Sequence, residues 1–131
     1  MAYLATVSVV KKASQGRNYY IVTVAETAAR DTSEATIPGV PVLGRIIDLT
    51  STKTAGTGTT VDPEIGITSG WADLTQNEVW QNGAAAAHVD AQPAKSYYSP
   101  TGTLYLRTSV NNVATDHSIT TQIIIAEGAG A

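Results

Sequence analysis

The sequence predicts an all-β protein, a single β-sandwich domain spanning residues 1–131, and three observations predict it. Residues 43–66 (LGRIIDLTSTKTAGTGTTVDPEIG) form a β-branched run that breaks into a Gly/Thr turn and restarts with no helical segment between. The same grammar of short runs separated by Gly, Pro, Asn and Asp recurs along the rest of the chain, which is the punctuation of strands and tight turns. Residues 84–87 (AAAA) are the only stretch with helix propensity.

Taken in order, residues 3–10 are rich in β-branched side chains and end at Ala13-Ser14-Gln15-Gly16, a turn sequence. Residues 18–25 (NYYIVTVA) are the next strand. Tyr20, Val22 and Val24 share one face, and Tyr19, Ile21 and Thr23 share the other, so this strand is expected to be central and to form a hairpin with the first. Residues 26–34 (ETAARDTSE) are polar and too short for a stable helix, and a loop is expected. Pro38 and Pro41 lack an N–H and confine their segment to an edge or a strand entry.

A long strand follows over residues 43–54, then a turn at Gly56-Thr57-Gly58-Thr59 and a short return through residues 60–67. Residues 78–81 (EVWQ) are expected to form a short strand, and Tyr97-Tyr98, bracketed by Pro93 and Pro100, an extended segment. In residues 103–110, Leu104, Leu106, Thr108 and Val110 alternate with Tyr105, Arg107 and Ser109, the signature of a half-buried strand. The last strand is expected over residues 118–126, with residues 127–131 as a flexible tail. Roughly eight to ten short strands with almost no helix make a sandwich or barrel. The jelly roll is the expected arrangement, and an immunoglobulin-like sandwich is its rival.

Composition narrows the function. A chain of 131 residues buries roughly two thirds of its unfolded surface, so no covalent staple is required. There is no cysteine, which excludes disulfides and thiolate metal sites. Charged residues make up 15% of the chain, against roughly 25% in typical soluble domains. The net charge is −3 and the only adjacent basic pair is Lys11-Lys12, so a nucleic-acid partner is not expected. No stretch reaches membrane-spanning length, and no membrane partner is expected.

No catalytic, cofactor or metal site is expected either. Gly56-x-Gly58-x-Thr60 lacks the lysine and the following helix of a phosphate loop. Asp62 and Glu64 flank a proline but do not supply the six or more oxygens of a calcium site. His88 with Asp90 and Asp116 with His117 would have to converge as a metal site, yet neighbours in a strand face opposite ways. No Gly-x-Ser-x-Gly nucleophile elbow is present. Phe is absent, leaving six Tyr and two Trp as the large aromatics. Four of them, Trp71, Trp80, Tyr97 and Tyr98, lie in the least regular part of the chain, where they are expected either to cover one end of the sandwich or, as aromatics at low charge density, to serve a protein interface or a sugar platform.

Residues 53–66 (KTAGTGTTVDPEIG), 84–107 (AAAAHVDAQPAKSYYSPTGTLYLR) and 114–128 (ATDHSITTQIIIAEG) together resemble small virion proteins of tailed bacteriophages, in particular capsid decoration or cement proteins built on a jelly roll. The resemblance implies a non-enzymatic structural protein that forms a homotrimer, binds the major capsid protein on the virion surface after synthesis in the host cytoplasm, and stabilises the shell without cofactor. It supplies no interface residues. On physical grounds Tyr3 and Leu4 of the first strand, with Trp71, Trp80, Tyr97 and Tyr98, are the candidate contacts. The alternative is a head-fibre or receptor domain that binds glycans through the same aromatics.

Overall fold

The computed structural model of the protein describes residues 2–30, 33–56, 60–70, 75–76, 79–80, 86–89, 95–110 and 116–128. Eleven strands are present among them: β1 (Leu4–Ser14), β2 (Arg17–Ala29), β3 (Glu34–Pro38), β4 (Leu43–Ala55), β5 (Thr60–Gly66), β6 (Thr75–Gln76), β7 (Val79–Trp80), β8 (Ala86–Val89), β9 (Lys95–Tyr98), β10 (Thr103–Val110) and β11 (His117–Glu127). All pairings are antiparallel. They build two sheets, one ordered β1-β2-β11-β4 with β8 and β9 both beyond β4, the other β3-β10-β5 with β6 and β7 both beyond β5.

The two sheets pack face to face. Val22, Val24, Ile46, Leu49, Ile123 and Ile125 of the larger sheet meet Ala35, Ile37, Ile65, Leu104 and Leu106 of the smaller in one buried cluster. The contributors alternate along their strands except in β4, where an extra residue between Ile46 and Asp48 resets the period so that both Ile46 and Leu49 face the core. Leu104, Leu106 and Thr108 are buried together as their alternation predicts.

The pairing is nested. Tyr19 faces Ala126, Pro38 faces Thr103, Leu43 faces Tyr98, Thr52 faces Ala86 and Ile65 faces Thr75. The chain from β2 to β11 is therefore one long antiparallel ribbon doubled back on itself, with the fold of the ribbon between Ile65 and Thr75. Its strands alternate between the two sheets, so the ribbon is also rolled. β1 is added outside it as an extra edge strand on β2.

Four expectations need correction. Residues 26–34 are not one loop: β2 continues through Ala29 and β3 begins at Glu34. Polarity misleads there because Glu26 is buried between the sheets, not solvated. Ala86 and Ala87 stand in β8, where pairing with Thr52 and Ser51 overrides local helix propensity. The first hairpin runs further than residues 3–10 and turns only at Gln15-Gly16. Both of those residues have positive φ, the two-residue type I′ geometry that suits strand twist. Glu127 and Gly128 are tied down: Glu127 accepts from Asn18 and Tyr20, and the Gly128 N–H donates to Leu43 O. Pro38, at the end of edge strand β3, sits where a residue without an N–H belongs.

Candidate functional site

The two outer faces of the sandwich differ in chemistry. On the smaller sheet, Arg107 of β10 stands between Glu34 of β3 and Glu64 of β5 in a row of alternating charge. Among the described residues the larger sheet carries no such row. Its alternation places Thr6, Ser8 and Val10 of β1, Ile21, Thr23 and Ala25 of β2, and Thr120, Gln122 and Ile124 of β11 outward.

Strand register turns these into rows. Ser8, Thr23, Gln122 and Thr50 are consecutive cross-strand neighbours, and so are Thr6, Ala25, Thr120 and Thr52. A third row runs Val10, Ile21, Ile124, Asp48. Among the described residues, formal charge enters this face only at Lys12, Arg17, Arg45 and Asp48. Short β-branched and hydroxyl side chains at neighbouring cross-strand positions contact one another and leave a low-relief surface. Little charge has to be desolvated when such a surface is covered, which is the composition of the buried centre of an interface and not of its rim.

The candidate contact residues lie around this face in different ways. Leu4, at the start of β1, is 64% exposed, and Tyr98, at the opposite rim on β9, is 58% exposed. Tyr98 pairs directly with Leu43, and Val42 beside it is also exposed, so this rim carries a small apolar patch. Tyr97 points the other way and is only 5% exposed, in the core cluster. Its ring lies against Gly44, its cross-strand partner. Trp71 lies outside the described residues. Trp80 is in β7 opposite Thr60, and its side chain lies outside them as well.

Tyr3 is half-buried and its hydroxyl donates to Glu26 Oε2 at 2.7 Å. Thr108, across the core on the other sheet, donates to the same carboxylate at 3.0 and 3.1 Å. Glu26 is 2% exposed, and burial pushes its pKa up to about 7 against the opposing pull of the Tyr3 and Thr108 hydrogen bonds. Burial and the Glu26 carboxylate together raise the Tyr3 hydroxyl far above its usual range. A carboxyl poised near neutrality is what acid–base chemistry uses, but this one is enclosed between sheets and its oxygens are occupied by two hydroxyls. It joins β2, β10 and the segment leading into β1, and its role is structural.

The other titratable candidates do not converge. Asp116 pairs with Arg30, while His117 is buried opposite Ala29. Glu64 lies on the outer face of the smaller sheet. His88 is in β8 with its side chain outside the described residues, as are Asp90 and the Asp62 side chain. Among the described residues no three His, Cys, Asp or Glu side chains come together as a metal site. The outer face of the larger sheet had a signal in the sequence, alternating Thr and Ser in several strands. What was lacking is the register that lines those strands up. The chain matches no protein-family model and no curated protein.

Proposed function

We propose that this chain is a non-enzymatic structural protein of a tailed-phage virion, a decoration or cement protein that sits on the outer surface of the capsid as a trimer and stabilises the shell. The observation that carries the reading is the low-charge outer face of the larger sheet, bounded by exposed Leu4 at one rim and Tyr98 at the other. A soluble domain ordinarily charges an exposed sheet face, as the smaller sheet does here. The trimer and the capsid partner come from the resemblance, while the contact face comes from the geometry. Many copies on one shell make weak single contacts sufficient.

The jelly roll belongs to the same proposal. A doubled ribbon with β2 on β11, β3 on β10, β4 on β8 and β9, and β5 on β6 and β7 is the nesting that a rolled pair of Greek keys requires, and it supports that arrangement over an immunoglobulin-like one. A glycan-binding head-fibre domain is the second reading, favoured by the exposed Tyr98 ring beside Val42 and Leu43.

Light scattering of the purified chain and co-sedimentation with undecorated capsids test the proposal together. The expected result is a mass near three chains and saturable binding, lost in the Thr23→Glu/Thr120→Glu variant that charges the face without touching the core. A monomer that ignores capsids overturns it. Binding to a glycan array abolished by Tyr98→Ala would then favour the second reading.

A further inference from the structure

We propose that β1 is a self-recognition edge: β1 strands of two copies pair antiparallel about a twofold axis through Val7, joining their larger sheets into one continuous sheet. Among the described residues β1 has β2 on one side and no strand on the other. It is 11 residues long, and residues 4–10 (LATVSVV) carry no charge, proline or glycine. A long, uncharged, β-branched edge is a template for another strand unless the fold blunts it. Here the only blunting charges, Lys11 and Lys12, stand at one end.

The occupant is identified by the strand's own pattern. A twofold contact is self-complementary, so whatever residue i meets must meet residue i in return. With Val7 on the axis, Leu4 falls opposite Val10 of the second copy and Val10 opposite its Leu4. These are the two large apolar side chains that β1 leaves exposed, at 64% and 46%. Both point to the outer face, as cross-strand neighbours must.

The inner face matches too. Ala5 falls opposite Val9 and Val7 opposite Val7, and these three are the half-buried residues at the margin of the core cluster. Thr6 meets Ser8. Lys11 and Lys12 fall opposite Tyr3 and Ala2 at the two ends of the contact, so no like charges face each other. A slip of two residues sets Leu4 opposite Ser8 or Lys12 and loses the match, and a slip of one sends core-facing residues to the outer face. The contact goes beyond the capsid reading and does not rest on it. On a shell it would link one trimer to the next.

Cysteine trapping tests the register, because the chain contains no cysteine of its own. Directly opposed residues in antiparallel strands have Cα atoms about 4.5–5.5 Å apart, within disulfide reach. An edge contact is small, so the chain alone is oxidised at on the order of 1 mM, without capsids. Val7→Cys is expected to give a covalent dimer several-fold faster than Thr6→Cys or Ser8→Cys alone. A mixture of the exposed variants Thr6→Cys and Ser8→Cys is expected to give mainly the mixed dimer, and this arm holds even if Val7→Cys folds poorly. Lys substitution at Val10 in the Val7→Cys background is expected to slow trapping at least tenfold. Equal trapping at positions 6, 7 and 8, or a random share of mixed dimer, overturns the proposal. Because capsids are absent, that failure leaves the shell-binding reading standing, and failure of capsid binding leaves this one standing.

Discussion

The two ends of the core solve the same problem with opposite chemistry. At one end Tyr97 lays its ring on Gly44, with Tyr20 buried nearby, and its hydroxyl has no partner among the described residues. At the other, six residues along β2 and about 20 Å away, Glu26 is buried with hydroxyls donated from Tyr3 and Thr108. The aromatic end is held by shape and the polar end by protonation and hydrogen bonds. The lesson is that faults at the first end should be indifferent to pH, while the second end titrates.

The largest expected effect follows from the raised Glu26 pKa. A carboxyl of ordinary pKa 4.5 when unfolded and about 7 when folded favours the folded state in its protonated form. Its contribution is fully present below about pH 4.5, declines as pH rises through about 7 and is flat above, a span on the order of 3 kcal/mol. Denaturant unfolding across pH 4–9 measures it. Glu26→Gln, which keeps the shape without the charge, is expected to remove this slope, and an unchanged slope would show that another group carries it.

Next in size is Gly44→Ala. A Cβ there would stand 2.5 Å from the Tyr97 hydroxyl oxygen and 2.6 Å from Cζ, so the ring must shift, at a cost of about 2–3 kcal/mol. The loss should be the same at pH 5 and pH 8, and Tyr97→Leu in the same chain should recover part of it.

A smaller effect is expected at Ala28, where β2 gains an extra residue opposite His117–Ile119 and the backbone takes φ 60°. Val at this position should cost about 2 kcal/mol, because a β-branched residue is strained in the left-handed region. Gly there should stay within about 0.5 kcal/mol of the parent, relieved backbone offsetting the lost methyl contact. Thermal melts separate the two. The smallest effect is Tyr97→Phe, which removes the unpartnered hydroxyl and should raise stability by up to about 1 kcal/mol. A loss instead would mean that the hydroxyl is satisfied.

The all-β class, the first hairpin and the inward face of β10 were legible because they rest on alternation over consecutive residues, as in Leu104, Leu106 and Thr108. Glu26 was not legible: its burial depends on Thr108, 82 residues away, and a local window sees only a polar run. Tyr97 and Tyr98 are adjacent and alike in composition, yet one is core and the other surface. Alternation says that they differ, and only the register against Leu43 and Gly44 says which is which. The outer face escaped for the same reason, since its rows are assembled from four strands distant in the chain.

The place of β11 has a consequence for how the protein comes into being. β11, the last of the eleven described strands in chain order, lies in the middle of the larger sheet, between β2 and β4. Until residues 117–127 leave the ribosome, β2 and β4 each have a bare edge and half of the core has no lid. Closing the outermost pair of the ribbon joins segments on the order of 100 residues apart, a non-local step of the kind that holds folding to milliseconds or seconds. The nascent chain is thus at its stickiest just before β11 emerges, so its yield in a cell should depend more on chaperone supply during those seconds than on the stability of the folded sandwich.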